Sequence, residues 1–241
     1  MTTTLMTYAG TTAPDALATR TGGVPLAPAG TAWPQCSTCD GPMQFLAQIL
    51  LDDLGRHAGQ GAVEGRGVLA LFMCQNDPGM CDEWDPQAGG NRALVFPATA
   101  LQQIPVPTLD EDQDQDEDEE DEEDEDEDDE EDDQESLLLG AVSAVAYETP
   151  STPADYGQAY EEWARQPGRN PLDILGQLGG QPEWLQNDET PVCPACAREM
   201  RLVVQLEEGR DHMTAMNFGG RGEAYAFACE PCAEAVFLWQ C

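Results

Sequence analysis

The sequence predicts a β-rich α+β fold made of two related halves, and three observations carry that expectation. First, residues 22–49 lie on residues 179–206 at a constant offset of 157, with 8 identities in 28 positions, where ordinary residue usage gives roughly two. Second, the apolar runs are short, contain β-branched residues and are punctuated by Pro and Gly, as strands are. Third, one stretch, Ala154 to Gln166, carries Tyr156, Tyr160 and Trp163 at spacings of four and three, the periodicity of a helix face.

Residues 1–20 are Thr- and Ala-rich without periodicity, and are expected to be a flexible tail. The first repeat occupies 21–109. It opens on Gly22-Gly23-x-Pro25, matched by Gly179-Gly180-x-Pro182. Met43 to Leu51 is apolar except for Gln44 and Gln48; Val203-Val204 in its partner, Met200 to Leu206, favours strand over helix. Val68 to Met73 and Ala93 to Phe96 follow as further apolar runs. A segment at 110–136 divides the chain and is expected to be a disordered acidic linker. The second half, 137–241, begins with a strand-like run from Leu137 to Tyr147. A helix over 154–166 follows, with Pro153 at its start and Pro167-Gly168 at its end. The second repeat adds runs at Ala224–Ala228 and Ala235–Trp239. Each half, about 100 residues, is small enough to gain from a metal staple.

Charge restricts the partners. Formal net charge is -37, and residues 110–135 hold 23 of the 47 carboxylates, their other members being Gln113, Gln115 and Gln134. Such a chain repels nucleic acid and anionic membranes and favours a basic protein. The longest apolar stretch, Leu137 to Ala146, is about half a membrane span. The N-terminus lacks the basic and apolar regions of a secretory signal. The cysteines number nine, an odd count. Together these features imply a reducing, cytoplasmic setting.

The repeat sorts eight cysteines into two sets of four: Cys36, Cys39, Cys74, Cys81 and Cys193, Cys196, Cys229, Cys232. A CxxC turn lets two sulfurs reach one ion at about 2.3 Å, and two such arms give the tetrahedral sulfur coordination that suits structural Zn²⁺. The expectation is therefore two structural zinc ions. The second set is two CxxC pairs. The first has a longer final arm, with Asn76-Asp77-Pro78-Gly79 as a turn signal between Cys74 and Cys81. Sulfur ligands alone leave an iron–sulfur cluster open, and spacing alone does not separate ligation within a repeat from ligation across repeats.

Other candidates are weaker. Cys241 reads as a small apolar residue after a strand. His57 and His212 fall in nearly equivalent places but in polar segments. Gly65-Arg66-Gly67 and Gly220-Arg221-Gly222 lack a phosphate-loop pattern and read as turns. No nucleophile with a base and an orienter stands out, and four-cysteine sets leave no open metal position for catalysis. The Tyr156–Tyr160–Trp163 face is expected to pack on the fold.

These blocks carry a resemblance. GGVP with WPQCSTCDGPMQFLAQI in 22–49, GGQPEWLQ in 179–186 and YAFACEPCAEAVFLWQC in 225–241 resemble the YwqG-like family of bacterial proteins. The same CxxC–x–PM–x–FLAQ pattern is similar to the eukaryotic programmed-cell-death-2 and ribosome-biogenesis family. The resemblance spans about 22–105 and 137–241. It implies a β-rich α+β fold in two related halves. From the eukaryotic relatives it implies a non-enzymatic chaperone role toward a ribosomal protein. The functional expectation is a zinc-stabilised module that binds a basic client; a metal-dependent hydrolase or redox enzyme and a toxin-neutralising immunity protein are the alternatives.

Overall fold

The structure is a computed structural model that describes residues 3–59, 64–108, 137–140, 142–152, 154–210 and 215–241. The acidic segment 110–136 lies outside the described residues, as do His212 and Pro153.

Among the described residues, twelve strands form, ten of them in one sheet. In chain order the strands are β1 (Leu5–Thr11), β2 (Arg20–Thr21), β3 (Leu26–Pro28), β4 (Gln44–Leu50), β5 (Val68–Met73), β6 (Asn91–Phe96), β7 (Leu101–Gln103), β8 (Ser143–Glu148), β9 (Ile174–Leu178), β10 (Arg201–Glu207), β11 (Glu223–Cys229) and β12 (Glu234–Gln240). The large sheet runs β12-β11-β10-β9-β1-β8-β2-β4-β5-β6, while β3 and β7 form a separate pair. The two edges, β6 and β12, come together, so the sheet curls almost into a barrel.

The α+β expectation is corrected by this architecture, which is nearly all β. Among the described residues the helices are α1 (Asp52–His57), α2 (Tyr156–Ala164) and two short 3₁₀ turns. The physical reason is curvature. The inner face of the sheet is buried by its own opposite wall, so no helical layer is needed to cover it. Leu69, Leu71 and Met73 of β5 join Val204, Leu206, Ala224, Ala226, Phe237 and Trp239 in one interior core. Each fully buried Val, Leu, Met or Phe side chain there contributes roughly 1.5–3 kcal/mol. Alternate residues point outward, as the two-residue period of a strand requires. On β5 these are Ala70 and Phe72, packed with Cys36, Met43, Phe45, Cys74 and Cys81. On β11 they are Tyr225, Phe227 and Cys229, packed with Cys193, Met200, Leu202 and Leu238.

The duplication is visible in the strand order. β2-β4-β5-β6 and β9-β10-β11-β12 are two equivalent antiparallel runs. Register agrees residue by residue: Arg20 opposes Gln48, and Gln177 opposes Gln205. Even the irregularities match, with register shifts between Phe45 and Ala47 and between Leu202 and Val204, positions that differ by 157. The halves are not separate lobes, however. β1 pairs with β9 of the second half and β8 pairs with β2 of the first. The leading strand of each half is thus exchanged, and β1 pairs with β8 at the centre.

Residues 1–20 are corrected accordingly. Far from being a flexible tail, they supply β1, whose Leu5, Met6 and Thr7 are buried. The segments read as strand or short helix near Met43 and Met200 are strands. The helix expected over 154–166 forms as Tyr156–Ala164, capped by the Asp155 side chain accepting from the Gln158 N–H at 2.9 Å. Tyr156 and Trp163 are buried against Leu5 and Ile174.

The repeated GGxP and Gln positions have one shared purpose. Gly22 and Gly179 have φ of 69° and 60°, and Gly23 and Gly180 have φ of 79° and 81°, which glycine adopts without steric penalty. Their turns lead to Leu26 and Glu183, whose backbone N–H groups donate to the buried Gln48 and Gln205 Oε1 atoms at 3.3 and 3.0 Å. Each glutamine therefore satisfies a backbone donor that would otherwise be lost inside the fold.

Candidate metal centres

Both cysteine sets assemble within their own repeats. The four sulfurs of Cys36, Cys39, Cys74 and Cys81 lie within 4.8 Å of one another, as do those of Cys193, Cys196, Cys229 and Cys232. The Cys39–Cys74 and Cys196–Cys229 sulfurs are both 3.7 Å apart. Four thiolates placed tetrahedrally at 2.3 Å from an ion stand about 3.8 Å from one another, whereas a disulfide holds its sulfurs at about 2.05 Å. The donor set and spacing therefore fit a metal ion, and either group could hold one.

Local backbone chemistry builds each site. Cys36 and Cys193 open a tight knuckle in which their N–H groups donate to the Gly41 and Arg198 carbonyls at 2.9 and 2.8 Å. The Asp40 and Ala197 N–H groups return to the Cys36 and Cys193 carbonyls at 3.0 and 2.8 Å. That closure forces Asp40 and Ala197 to φ of 59° and 54°, a left-handed conformation that stores about 1 kcal/mol or more at alanine. The second arms differ. β11 delivers Cys229 and a 3₁₀ turn, Glu230–Cys232, delivers the last ligand. β5 ends next to Cys74, and the chain then loops to Cys81.

The longer loop is integrated into the first site. The Asn76 Nδ2 donates to the sulfurs of Cys39 and Cys74 at 3.3 and 3.4 Å. The Gly79 N–H donates to Glu83 Oε1 at 2.6 Å, and the Asn91 amide donates to the carbonyls of Glu83 and Asp85 at 2.8 and 3.1 Å. Gly90 must be glycine, since a Cβ there would stand 2.3 Å from the Cys81 carbonyl oxygen. The second site uses an ionic neighbour instead: Arg198 Nε donates to Cys196 Sγ at 3.4 Å. Neither the Asn76 nor the Arg198 contact was legible in the sequence, because both depend on how the knuckles fold.

Electrostatics are parallel at the two sites. Burial pushes the Cys39 thiol up, but hydrogen bonds from Asn76 and the Gly41 backbone outweigh it and bring the thiol down to about 7. The Arg198 side chain, then its backbone N–H, lowers Cys196 to about 6. Burial pushes Cys74 up to about 11 and raises Cys229. Bonds with Cys196 and Cys229 hold Cys232 up at about 12. In each set the second cysteine of the knuckle is thus held below the ordinary thiol range and the second-arm thiols above it, and a cation joining the four sulfurs displaces protons from the raised ones.

Cys241 stands outside both groups and is exposed. His57 stacks on Tyr147, with ring centroids 4.2 Å apart.

One polar cluster was missed from the sequence. Glu207 and Glu223 face each other across β10 and β11, where the first half pairs the apolar Leu50 and Val68. The Tyr156 and Tyr225 hydroxyls donate to Glu207 and Glu223 at 2.6 and 3.1 Å. Burial first, then the opposing Glu207, pushes the Glu223 carboxyl up to about 7. Glutamates scattered in sequence gave no sign of this pairing.

The fold and sites define an internally duplicated, nearly all-β protein with one four-sulfur centre per half. The chain belongs to the family described as Domain of unknown function (DUF1963), which it matches over residues 19–232. It is also similar to the uncharacterized protein YpfL of Salmonella typhimurium, at 35% identity over 68 residues. That match covers 27% of this chain and 15% of YpfL.

Proposed function

We propose that this chain is a non-enzymatic, zinc-stabilised protein-binding module that escorts a basic client, such as a ribosomal protein, in the cytoplasm. Zinc is the metal whose tetrahedral, all-thiolate coordination matches the sulfur spacing and the CxxC arms. Four sulfurs at each centre saturate such an ion, which supports a structural role and disfavours metal-based catalysis. Sulfurs grouped for a metal ion at 3.7 Å rather than joined as disulfides are consistent with a reducing compartment. The resemblance of the CxxC–x–PM–x–FLAQ motif to the eukaryotic programmed-cell-death-2 family, which rests on the sequence motif alone, points the same way.

The observation that carries it is charge. A chain of net charge -37, with about half of its carboxylates in residues 110–135, attracts a basic protein over a Debye length of about 8 Å at physiological salt. It also competes with nucleic acid for the client's basic surface. Deleting residues 110–135 tests this. Binding to a purified basic ribosomal protein, followed by fluorescence anisotropy across a salt series, is expected to weaken and to lose most of its salt dependence. Unchanged affinity and salt slope would refute the electrostatic role of the segment.

A further inference from the structure

The seam where the sheet almost closes carries a groove that neither metal centre explains. One wall is Trp84, which comes three residues after Cys81 in the loop unique to the first half. The second knuckle, Pro191, Val192 and Pro194, also lines the groove, as does Val236 of β12. The cavity measures about 840 Å³, within the range of ligand-sized clefts. Trp84 and Val192 are 40% and 56% exposed, so both offer apolar surface to a ligand in the groove.

Comparison of the two halves singles this surface out. At the offset of 157, Val192 corresponds to Gln35 and Pro194 to Ser37. The first knuckle thus presents polar side chains where the second presents apolar ones, although their backbones are built alike. The walls are also fixed in place. Val192 adjoins Cys193, the Trp84 carbonyl accepts from the Trp239 N–H at 3.4 Å, and the Trp84 ring packs edge-on against Trp239 at 6.1 Å. A preformed apolar cleft loses little entropy on binding. Its polar rim is acidic: Asp85 and Glu189 flank it, and Glu189 is oriented by the Gln240 amide at 3.0 Å.

We propose that this groove docks a basic protein segment that places an apolar side chain between arginines or lysines. The apolar side chain would sit between Trp84 and Val192, and the flanking cations would meet Asp85 and Glu189. The proposal rests on the client reading above and names where that client is held. Long-range charge brings the client in, and the groove supplies selectivity that charge alone lacks.

The test uses the full-length protein and two labelled peptides, Arg-Arg-Leu-Leu-Arg-Arg and its Ser-Ser counterpart, measured by fluorescence anisotropy at ~50 and ~500 mM salt. The expected result is roughly tenfold tighter binding of the Leu peptide. Val192→Ser, at an exposed position, and Trp84→Ala are expected to bring the Leu peptide to the level of the Ser peptide. Melting curves of both variants establish that they are folded. Equal, salt-sensitive binding of both peptides to the unmodified protein, or a Leu preference that survives Val192→Ser, would overturn the groove and leave the electrostatic reading standing. Absence of binding by either peptide at low salt would overturn both.

Discussion

Replacing Gln205 by Leu tests how the repeated sequence holds its turns. The side chain is fully buried. Its Oε1 accepts from the Glu183 N–H at 3.0 Å and from Gln177 Nε2 at 2.7 Å. Its Nε2 donates to the Glu183 carbonyl at 3.4 Å and to the Glu223 carboxylate. Leucine fills a similar volume but leaves the Glu183 N–H and the Gln177 amide without this partner. Each buried donor left unsatisfied costs about 1–3 kcal/mol. Gln177 keeps its bond to the Gln181 carbonyl at 3.0 Å, and Glu223, being half-buried, recovers solvation from water. The expected loss is therefore about 2–4 kcal/mol. Against a total stability of about 5–15 kcal/mol, that lowers the melting temperature by about 10 °C for a chain of this size. Urea unfolding and calorimetry on the metal-loaded protein measure it. Gln48→Leu, at the matching position in the first half, should behave alike, since it removes the acceptor for the Leu26 N–H and the donor to the Ala18 carbonyl at 3.1 Å. A change under about 0.5 kcal/mol in either variant would refute the claim that these glutamines anchor the GGxP turns.

Three more outcomes follow from the same structure. Removing residues 1–11 takes away a strand hydrogen-bonded on both sides, to β8 and β9; the truncated chain is expected to lose cooperative unfolding, and a native-like melt would contradict β1's central place. Glu223 has a carboxyl raised to about 7 in the folded protein. The folded state therefore binds more protons than the unfolded one between its ordinary carboxylate range and about 7, and stability falls as pH rises through that window. Glu223→Gln removes that loss and, after discounting for its partial exposure, should stabilise the protein by about 1–2 kcal/mol at pH 8, with little effect at pH 4. Asp52 works in the opposite sense: its carboxylate accepts from the Gly65 and Arg66 N–H groups at 2.9 and 2.8 Å. Its pKa is lowered against the opposing effect of burial, mainly by those two bonds and then by Arg56. The stability it contributes is present at neutral pH and lost as pH falls through its folded value, so Asp52→Ala should cost about 2 kcal/mol at pH 7 and progressively less in acid.

Much of this architecture was legible because the chain writes it twice. The offset that aligned Cys36 with Cys193 also aligned Gln48 with Gln205, and both pairs occupy equivalent places in the fold. The residues of each centre followed from spacing. Their grouping within repeats did not, because sulfur proximity depends on how β5 and β11 return beneath the knuckles. The α+β expectation failed for a related reason. Tyr156, Tyr160 and Trp163 mark a real helix, but it covers one patch of a sheet whose interior is filled by its own strands. Residues 1–20 were misread because Thr3 and Thr4 look polar in isolation. Beside Leu5, Met6 and Tyr8 they form a strand-like run, and Thr is a good strand former. The exchange of β1 and β8 left no trace in sequence, since a swapped strand and an unswapped one carry the same alternation. The groove between Trp84 and Val192 joins residues more than a hundred positions apart, and only closure of the sheet brings them together.

We propose that each four-sulfur centre holds a metal ion that staples its half of this single sheet. Metal content with zinc X-ray absorption, on the intact protein and on Cys36→Ser and Cys193→Ser, tests it most directly. Two zinc ions per chain are expected, each with four sulfurs at about 2.3 Å. Each variant should lose one ion and melt at a lower temperature. One ion or none in the intact protein, nitrogen or oxygen in either first coordination shell, or a variant that keeps both ions would contradict it.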